Sequence, residues 1–154
     1  MPLDNTITLQ RSNSSNPDFR FLIPLLDKEL ADRYGELQAV YDQYNQIINI
    51  DTVIIAYRDD TPVGCGCFKQ IDEHSVEIKR MFVKPAERGL GIASAILSQL
   101  ELWAWENGFS YTLLETGDKQ HEAIALYQKL GYAIIPNYGQ YAGMESSICM
   151  QKEL

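Results

Sequence analysis

Positive charge is scarce in this chain. Lysine and arginine number 13 against 21 aspartates and glutamates, a formal net charge of −8. A general nucleic-acid binder leaves a basic footprint, so this balance argues against that class. Through long-range steering, it weakly favours cationic partners. Cysteine is scarce too. Cys65, Cys67 and Cys149 make no even framework, and Cys65 and Cys67, two apart on one expected strand, point to the same face, a poor spacing for a bridge. Two ligands without a second pair also make a weak metal site, so no metal is expected. All three read as reduced, buried thiols, and the cytoplasm follows as the default compartment. No run is long and apolar enough to span a bilayer, and the N-terminus lacks the charged-then-apolar pattern of a secretory signal. Neither a repeat nor a low-complexity segment stands out. What is present, 154 residues of which 45% are hydrophobic and 22% charged, fits one soluble domain over residues 1–154.

The order of elements follows from periodicity and punctuation. Thr6 to Leu9 is a short strand candidate. Asn16-Pro17 resembles an N-cap followed by proline at the first helical position, and Leu22, Ile23, Leu26 and Leu30 supply the apolar face of the helix. Pro24 should kink or restart that helix, and Gly35 should end it. Leu37, Val40, Tyr41 and Tyr44 suggest a second short helix. Thr52 to Tyr57 and Pro62 to Lys69 form a hairpin about Arg58-Asp59-Asp60-Thr61, and Asp72-Glu73-His74 turns the chain into Ser75 to Val83. A long helix from near Gly89 carries Ile92, Ile96, Leu100 and Trp103, with Trp105 off the stripe, and Asn107-Gly108 stops it. Tyr111 to Leu114 should run parallel to the preceding strand, because a helix separates them. Asp118 is the expected cap of a last helix, Lys119 to Leu130, with Tyr132 to Ile135 and Ser147 to Gln151 as final strands. The expected fold is α/β, a mixed and mostly antiparallel sheet around one central β–α–β unit. A ligand should sit beyond the carboxyl ends of its strands.

The densest chemistry lies in Val83-Lys84-Pro85-Ala86-Glu87-Arg88-Gly89-Leu90-Gly91-Ile92-Ala93. Glycine lets the backbone approach a ligand closely, and a helix start offers N–H groups and the positive end of the dipole. Together they make a phosphate cradle. A Walker loop is excluded, since no Gly-Lys-Ser/Thr follows. A dinucleotide site is the competing interpretation: Gly89-x-Gly91-x-x-Ser94 resembles the Rossmann pattern with its last glycine lost, and Glu115 stands where an acidic ribose ligand could be. That pattern sits in mid-chain, however, without a second nucleotide-binding half.

These residues carry a family resemblance. Arg88-Gly89-Leu90-Gly91-Ile92-Ala93, led in by Val83-Lys84-Pro85, and Leu126-Tyr127-Gln128-Lys129-Leu130-Gly131-Tyr132 resemble the two signatures of the GNAT superfamily of acetyl-CoA-dependent N-acetyltransferases. The resemblance covers roughly residues 50 to 135 well. It implies acetyl-CoA as co-substrate, with pyrophosphate on Arg88, Gly89, Leu90, Gly91, Ile92 and Ala93. The pantetheine arm would lie along Met81, Phe82 and Val83, with the Met81 amide polarising the thioester carbonyl. Family members often carry asparagine seven residues before the tyrosine, to hold the arm; this chain has the longer Gln120.

The same resemblance implies Tyr127 as the acid that protonates the leaving thiolate and Glu77 as the base that deprotonates the amine. Tyr127 also sits on a helical stripe with Ala123, Ile124 and Leu130, as a core aromatic would. Strand alternation places Glu77, Lys79 and Met81 on one face unless a bulge intervenes, with Arg80 on the other, where it could meet a substrate carboxylate or cap the sheet. His74 and His121 are alternative bases. Tyr34, Tyr41, Tyr44, Tyr138 and Tyr141 are candidates for the acceptor pocket. The expected activity is direct acetyl transfer to the primary amine of a small acceptor, without nucleic acid or membrane as partner. The alternatives are a non-catalytic acyl-CoA-binding module and an NAD-binding protein. Superfamily habit suggests a homodimer.

Overall fold

The computed structural model describes residues 3–35 and 49–154. The short helix expected around Leu37, Val40, Tyr41 and Tyr44 lies outside them. Seven strands form one sheet: β1 (Ile7–Ser12), β2 (Val53–Arg58), β3 (Thr61–Gln70), β4 (Ser75–Val83), β5 (Tyr111–Gly117), β6 (Ala133–Ile135) and β7 (Ser147–Glu153), in the spatial order β1-β2-β3-β4-β5-β7-β6. Every neighbouring pair is antiparallel except β4 with β5. That one parallel pair needs a crossover, and helix α2 (Ile92–Glu106) supplies it. The expected α/β architecture with its central β–α–β unit is therefore the observed one. Among the described residues, no helix is long and apolar enough to cross a membrane.

The two faces of the sheet are covered differently. Helix α1 (Pro17–Tyr34) buries Phe19, Leu22, Ile23 and Leu26 against Val53, Ile55, Cys65, Cys67 and Phe82. On the other face α2 packs Ile92, Ile96, Leu97, Leu100 and Ala104 against Ile54, Val63, Phe68 and Ile78, and Tyr127 of α3 (His121–Lys129) joins that cluster. Gly66 lets α2 close onto the sheet: a Cβ there would overlap Met81 Sδ and crowd Ile96 (3.0 Å) and Leu100 (3.1 Å). Trp105, off the α2 stripe, is exposed.

Two expected boundaries are corrected. Helix α1 starts as expected, with the Asn16 side chain accepting from the Asp18 N–H, but it does not restart at Pro24. Proline removes only the bond to the Arg20 carbonyl, and both residues are exposed, so water can serve that carbonyl. Asp118 does not cap α3. The helix begins two residues beyond Lys119 with Gln120 at the N-cap, while the Asp118 N–H is drawn to the Ser146 carbonyl at 2.9 Å.

The feature that shapes the site is a bulge in β4. Cys65 pairs with Phe82 and Cys67 with Lys79, so Gly66 alone stands opposite Arg80 and Met81. Arg80 takes up the extra residue at φ +58, a left-handed conformation uncommon for any residue but glycine. The thiols of Cys65 and Cys67 donate to the carbonyls of Arg80 and Lys79, at 3.5 and 3.3 Å. Burial pushes both thiols up, that of Cys67 to about 12. They act here as small buried donors that hold the bulge.

Candidate active site

Parallel pairing of β4 with β5 runs from Ser75–Tyr111 to Ile78–Leu114 and stops. Past that point β5 continues, paired on its other side through Glu115–Cys149, Thr116–Ile148 and Gly117–Ser147. The two strands therefore part beyond Ile78, and a notch opens between them. The Lys84 N–H donates to the Val63 carbonyl at 2.9 Å. Antiparallel alternation then points the amide groups of Phe82 toward β3 and those of Met81 and Val83 into the notch. The bulge is what permits the parting, because it adds length and bend to β4 alone.

Toward the start of α2 the notch widens into a cavity of about 410 Å³, which Leu26, Glu29 and Arg33 of α1 also border. Met81, Phe82 and Val83 form one wall, and Arg88, Gly89, Gly91, Ile92 and Ala93 close its end. Gln120 and Tyr127 of the α3 segment form the other wall. Of the expected coenzyme contacts Leu90 alone is absent from this lining, and it is exposed. The cavity end fits a phosphate-bearing ligand. Gly91, the N-cap of α2, is at φ +83, and a Cβ there would meet nothing within 4 Å. The first helical bond runs from the Ala95 N–H to the Gly91 carbonyl. The N–H groups of Ile92, Ala93 and Ser94 thus have no acceptor within the helix, and no acidic residue occupies its first turn. Arg88 stands beside this turn. Its Nε donates to the Val83 carbonyl at 2.8 Å, and its two terminal nitrogens reach Glu29 of α1 at 2.8 and 2.9 Å.

A second cavity, of about 140 Å³, opens on the α1 face. It shares Leu26, Met81, Gln120, Ala123 and Tyr127 with the first, so the two meet at the notch. Its other walls are chemically dense. Glu77 is 1% exposed, accepting from the Tyr138 hydroxyl at 2.7 Å and from Lys79 Nζ at 3.3 Å. Lys79 also donates to the Tyr141 hydroxyl at 3.4 Å, and burial lowers its pKa against the opposing pull of Glu77. Burial likewise raises both tyrosines, Tyr138 and Tyr141, beside the Glu77 charge. Glu115 accepts from the Ser147 hydroxyl at 3.2 Å, and burial pushes its pKa up to about 7. Tyr127, at the junction, is raised to about 12 by burial alone, and its ring stacks edge-on against Tyr132.

The bulge overturns one sequence expectation. Glu77, Lys79 and Met81 do not share a face: Glu77, Lys79 and Arg80 look toward α1, and Met81 looks toward α2. Arg80 is thus on the same side as Glu77, where it pairs with Asp27 of α1. Among the described residues its buried Nε has no hydrogen-bond partner, an omission that ordinarily costs about 1–3 kcal/mol. His74 and His121 are exposed and line neither cavity. Tyr34 and Tyr141 line the smaller cavity and Tyr138 reaches it through Glu77, whereas Tyr41 and Tyr44 lie outside the described residues. Glu115, the residue that the dinucleotide alternative sets at a ribose, lines the α1-side cavity and not the glycine-loop cavity.

Residues 19–132 match the model of the acetyltransferase (GNAT) family. The chain belongs to the GNAT acetyltransferase family. Its enzyme class is that of an acyl-CoA-dependent N-acetyltransferase. It is 34% identical over 156 aligned residues to an IAA acetyltransferase of Azospirillum brasilense, covering 96% of this chain and 98% of that one. Among solved structures, a Klebsiella pneumoniae protein presumed to be an acyl-CoA N-acyltransferase superposes with a TM-score of 0.81 at 27% identity, covering 98% of this chain and 99% of its own. A GNAT acetyltransferase of Elizabethkingia anophelis, crystallised with acetyl-CoA bound, has the same fold at a TM-score of 0.70 and 21% identity, over 98% of this chain and all of that one.

Within this GNAT chain, sequence reasoning placed Lys79 beside Glu77 but set Arg80 on the opposite face and did not bring Glu115 into the same cluster. The signal for Glu115 was present: a carboxylate one residue beyond an apolar strand, at its carboxyl end. For Arg80 there was none, since nothing in the residue order marks a one-residue bulge.

Proposed function

We propose that the protein transfers the acetyl group of acetyl-CoA to the primary amine of a small acceptor, by direct attack while both are bound. One observation carries this: two cavities, one ending at the glycine turn that opens α2 and the other lined by ionisable groups, meet at Met81 and Tyr127. Bound acetyl-CoA supplies an electrophilic thioester carbonyl. The Ile92, Ala93 and Ser94 N–H groups hold the pyrophosphate, and Arg88 adds positive charge beside it. The Met81 amide, turned into the notch, donates to the carbonyl oxygen as negative charge builds there. Tyr127 stays protonated across the neutral range, since its pKa of about 12 lies above that of a thiol. It is positioned to give its proton to the departing sulfur.

The amine must arrive as a free base. The family resemblance implies Glu77 as the group that takes its proton, but both Glu77 oxygens are engaged by Tyr138 and Lys79. Glu115, with a pKa of about 7, is matched to accept a proton near neutrality. We assign the base to Glu115, with Glu77 holding Lys79 and Tyr138 in place. Acetyl-CoA bound in a structural neighbour supports acetyl-CoA as the co-substrate.

Gly91→Glu tests the placement. The new carboxylate enters the open space at the cradle and repels phosphate, so calorimetry on the folded variant should show acetyl-CoA affinity lost, beside a lowered melting temperature from a side chain held at φ +83. Unchanged affinity would refute the pyrophosphate site.

A further inference from the structure

Strand pairing makes Arg80 the extra residue of the β4 bulge, but it does not call for a charged side chain there. Its backbone is held at φ +58, in a region that non-glycine residues seldom adopt and that persists only where the surroundings impose it. The bulge turns its side chain onto the face of Glu77 and Lys79, against the smaller cavity. The guanidinium is almost sealed, at 4% exposure. One terminal nitrogen serves Asp27, and Nε has no acceptor among the described residues. Arginine cannot shed its charge, so a sealed guanidinium short of an acceptor calls for an oxygen from outside the chain.

We propose that the acceptor is a small amine that also carries a carboxylate, and that Arg80 receives this carboxylate while the amine faces Glu115 and the notch. This rests on the acetyl-transfer reading of the site and names the substrate class for it. The planar fork of arginine suits a carboxylate or a phosphate. The cavity decides between them. At about 140 Å³ it is small, and Glu77 and Glu115 share its wall with Lys79, whose ammonium is already bonded to Glu77. A phosphate dianion would meet both carboxylates, whereas an ammonium and a carboxylate on one short frame answer both signs. Glu115 and Arg80 stand just past the last paired positions of β5 and β4, Leu114 and Ile78, on the two sides of the notch. An α-amino acid is the simplest molecule with that charge pattern. The overall negative charge of the protein is not in conflict, because a zwitterion carries no net charge to steer.

Thiol release from acetyl-CoA tests the proposal with the full chain and two matched series: free α-amino acids, and the same compounds as amides or decarboxylated amines. The parent protein should favour the carboxylate series by at least about 10-fold in kcat/KM. Arg80→Gln should collapse that preference by roughly 10- to 100-fold, mainly through KM for the acceptor, as expected for a lost charge-assisted bond. Arg80→Lys should restore part of it, returning the charge but not the fork. Equal or better turnover of the carboxylate-free series by the parent overturns the proposal, as does an equal loss in both series on Arg80→Gln. The parent comparison needs no variant, so it decides the matter even where Arg80→Gln does not fold. Transfer to carboxylate-free amines alone ends this inference and leaves the acetyl-transfer reading standing. Failure to bind acetyl-CoA ends that reading, and transfer to neither series while acetyl-CoA binds overturns the inference.

Discussion

Burial acts on Tyr127 and Glu115, the proposed acid and base, with opposite consequences. Desolvation favours the neutral form of each. For a phenol that only secures a proton it already holds; for a carboxylate it brings titration to about pH 7. Tyr127→Phe should keep the ring contact with Tyr132 and lower kcat by roughly 100-fold or more, with acetyl-CoA affinity nearly unchanged. An unaltered kcat would remove the acid role. Glu115 makes a pH prediction on two readouts. As the base it must be ionised, so kcat/KM should rise through about pH 7 in the parent, a limb that Glu115→Gln abolishes and Glu77→Gln retains. Stability moves the other way. The folded pKa lies above the unfolded one, near 4.5, so the folded state binds more protons between them. Stability is then lost as pH rises from the unfolded toward the folded value. Glu115→Gln should therefore gain on the parent across that window, by up to about 3 kcal/mol, measured by denaturant unfolding at pH 5 and pH 8. The glycine-loop residues were legible in the sequence because their chemistry is in the backbone and in their spacing. Glu115 was legible only as a carboxylate past the end of an apolar run, because that run stops at Leu114 and the strand goes on only through its pairing with β7, Glu115 opposite Cys149.

At the scale of elements, one bulge and one tight helix contact control the notch. Alternation along β4 is a sound expectation for an unbroken strand, and it fails at Arg80 because Gly66 stands opposite two residues. The same Gly66 admits Met81 and α2. Gly66→Ala places a methyl in overlap with Met81 Sδ, with Ile96 at 3.0 Å. Met81 can swing, but it then leaves the wall of the coenzyme cavity. The substitution should cost roughly 1–3 kcal/mol of stability and weaken acetyl-CoA binding together. A stable Gly66→Ala with parental affinity would show that Met81 does not define the wall. The helix ends were less legible than the helices themselves. Asp118 has the chemistry of a cap, yet its N–H pairs with Ser146, a partner that no local pattern names.

For the whole molecule, the order of secondary structure was legible and the order in the sheet was not. Hydrophobic period and turn residues locate β1 to β7 within a few positions, and the crossover helix makes β4 and β5 parallel. Insertion of β7 between β5 and β6 is a long-range choice, and it holds β5 in place where β4 leaves it. The gap between two strands of one sheet is thus a property of the entire topology. The central claim is that this gap takes the acyl carrier. Its most direct test is a crystal structure of the protein grown with acetyl-CoA. The pyrophosphate should lie on the N–H groups at the start of α2, the arm should run beside Met81 and Val83, and the thioester should rest between the Met81 amide and the Tyr127 hydroxyl. Acetyl-CoA seated away from the β4–β5 gap, with the α2 start making no contact to phosphate, would contradict it.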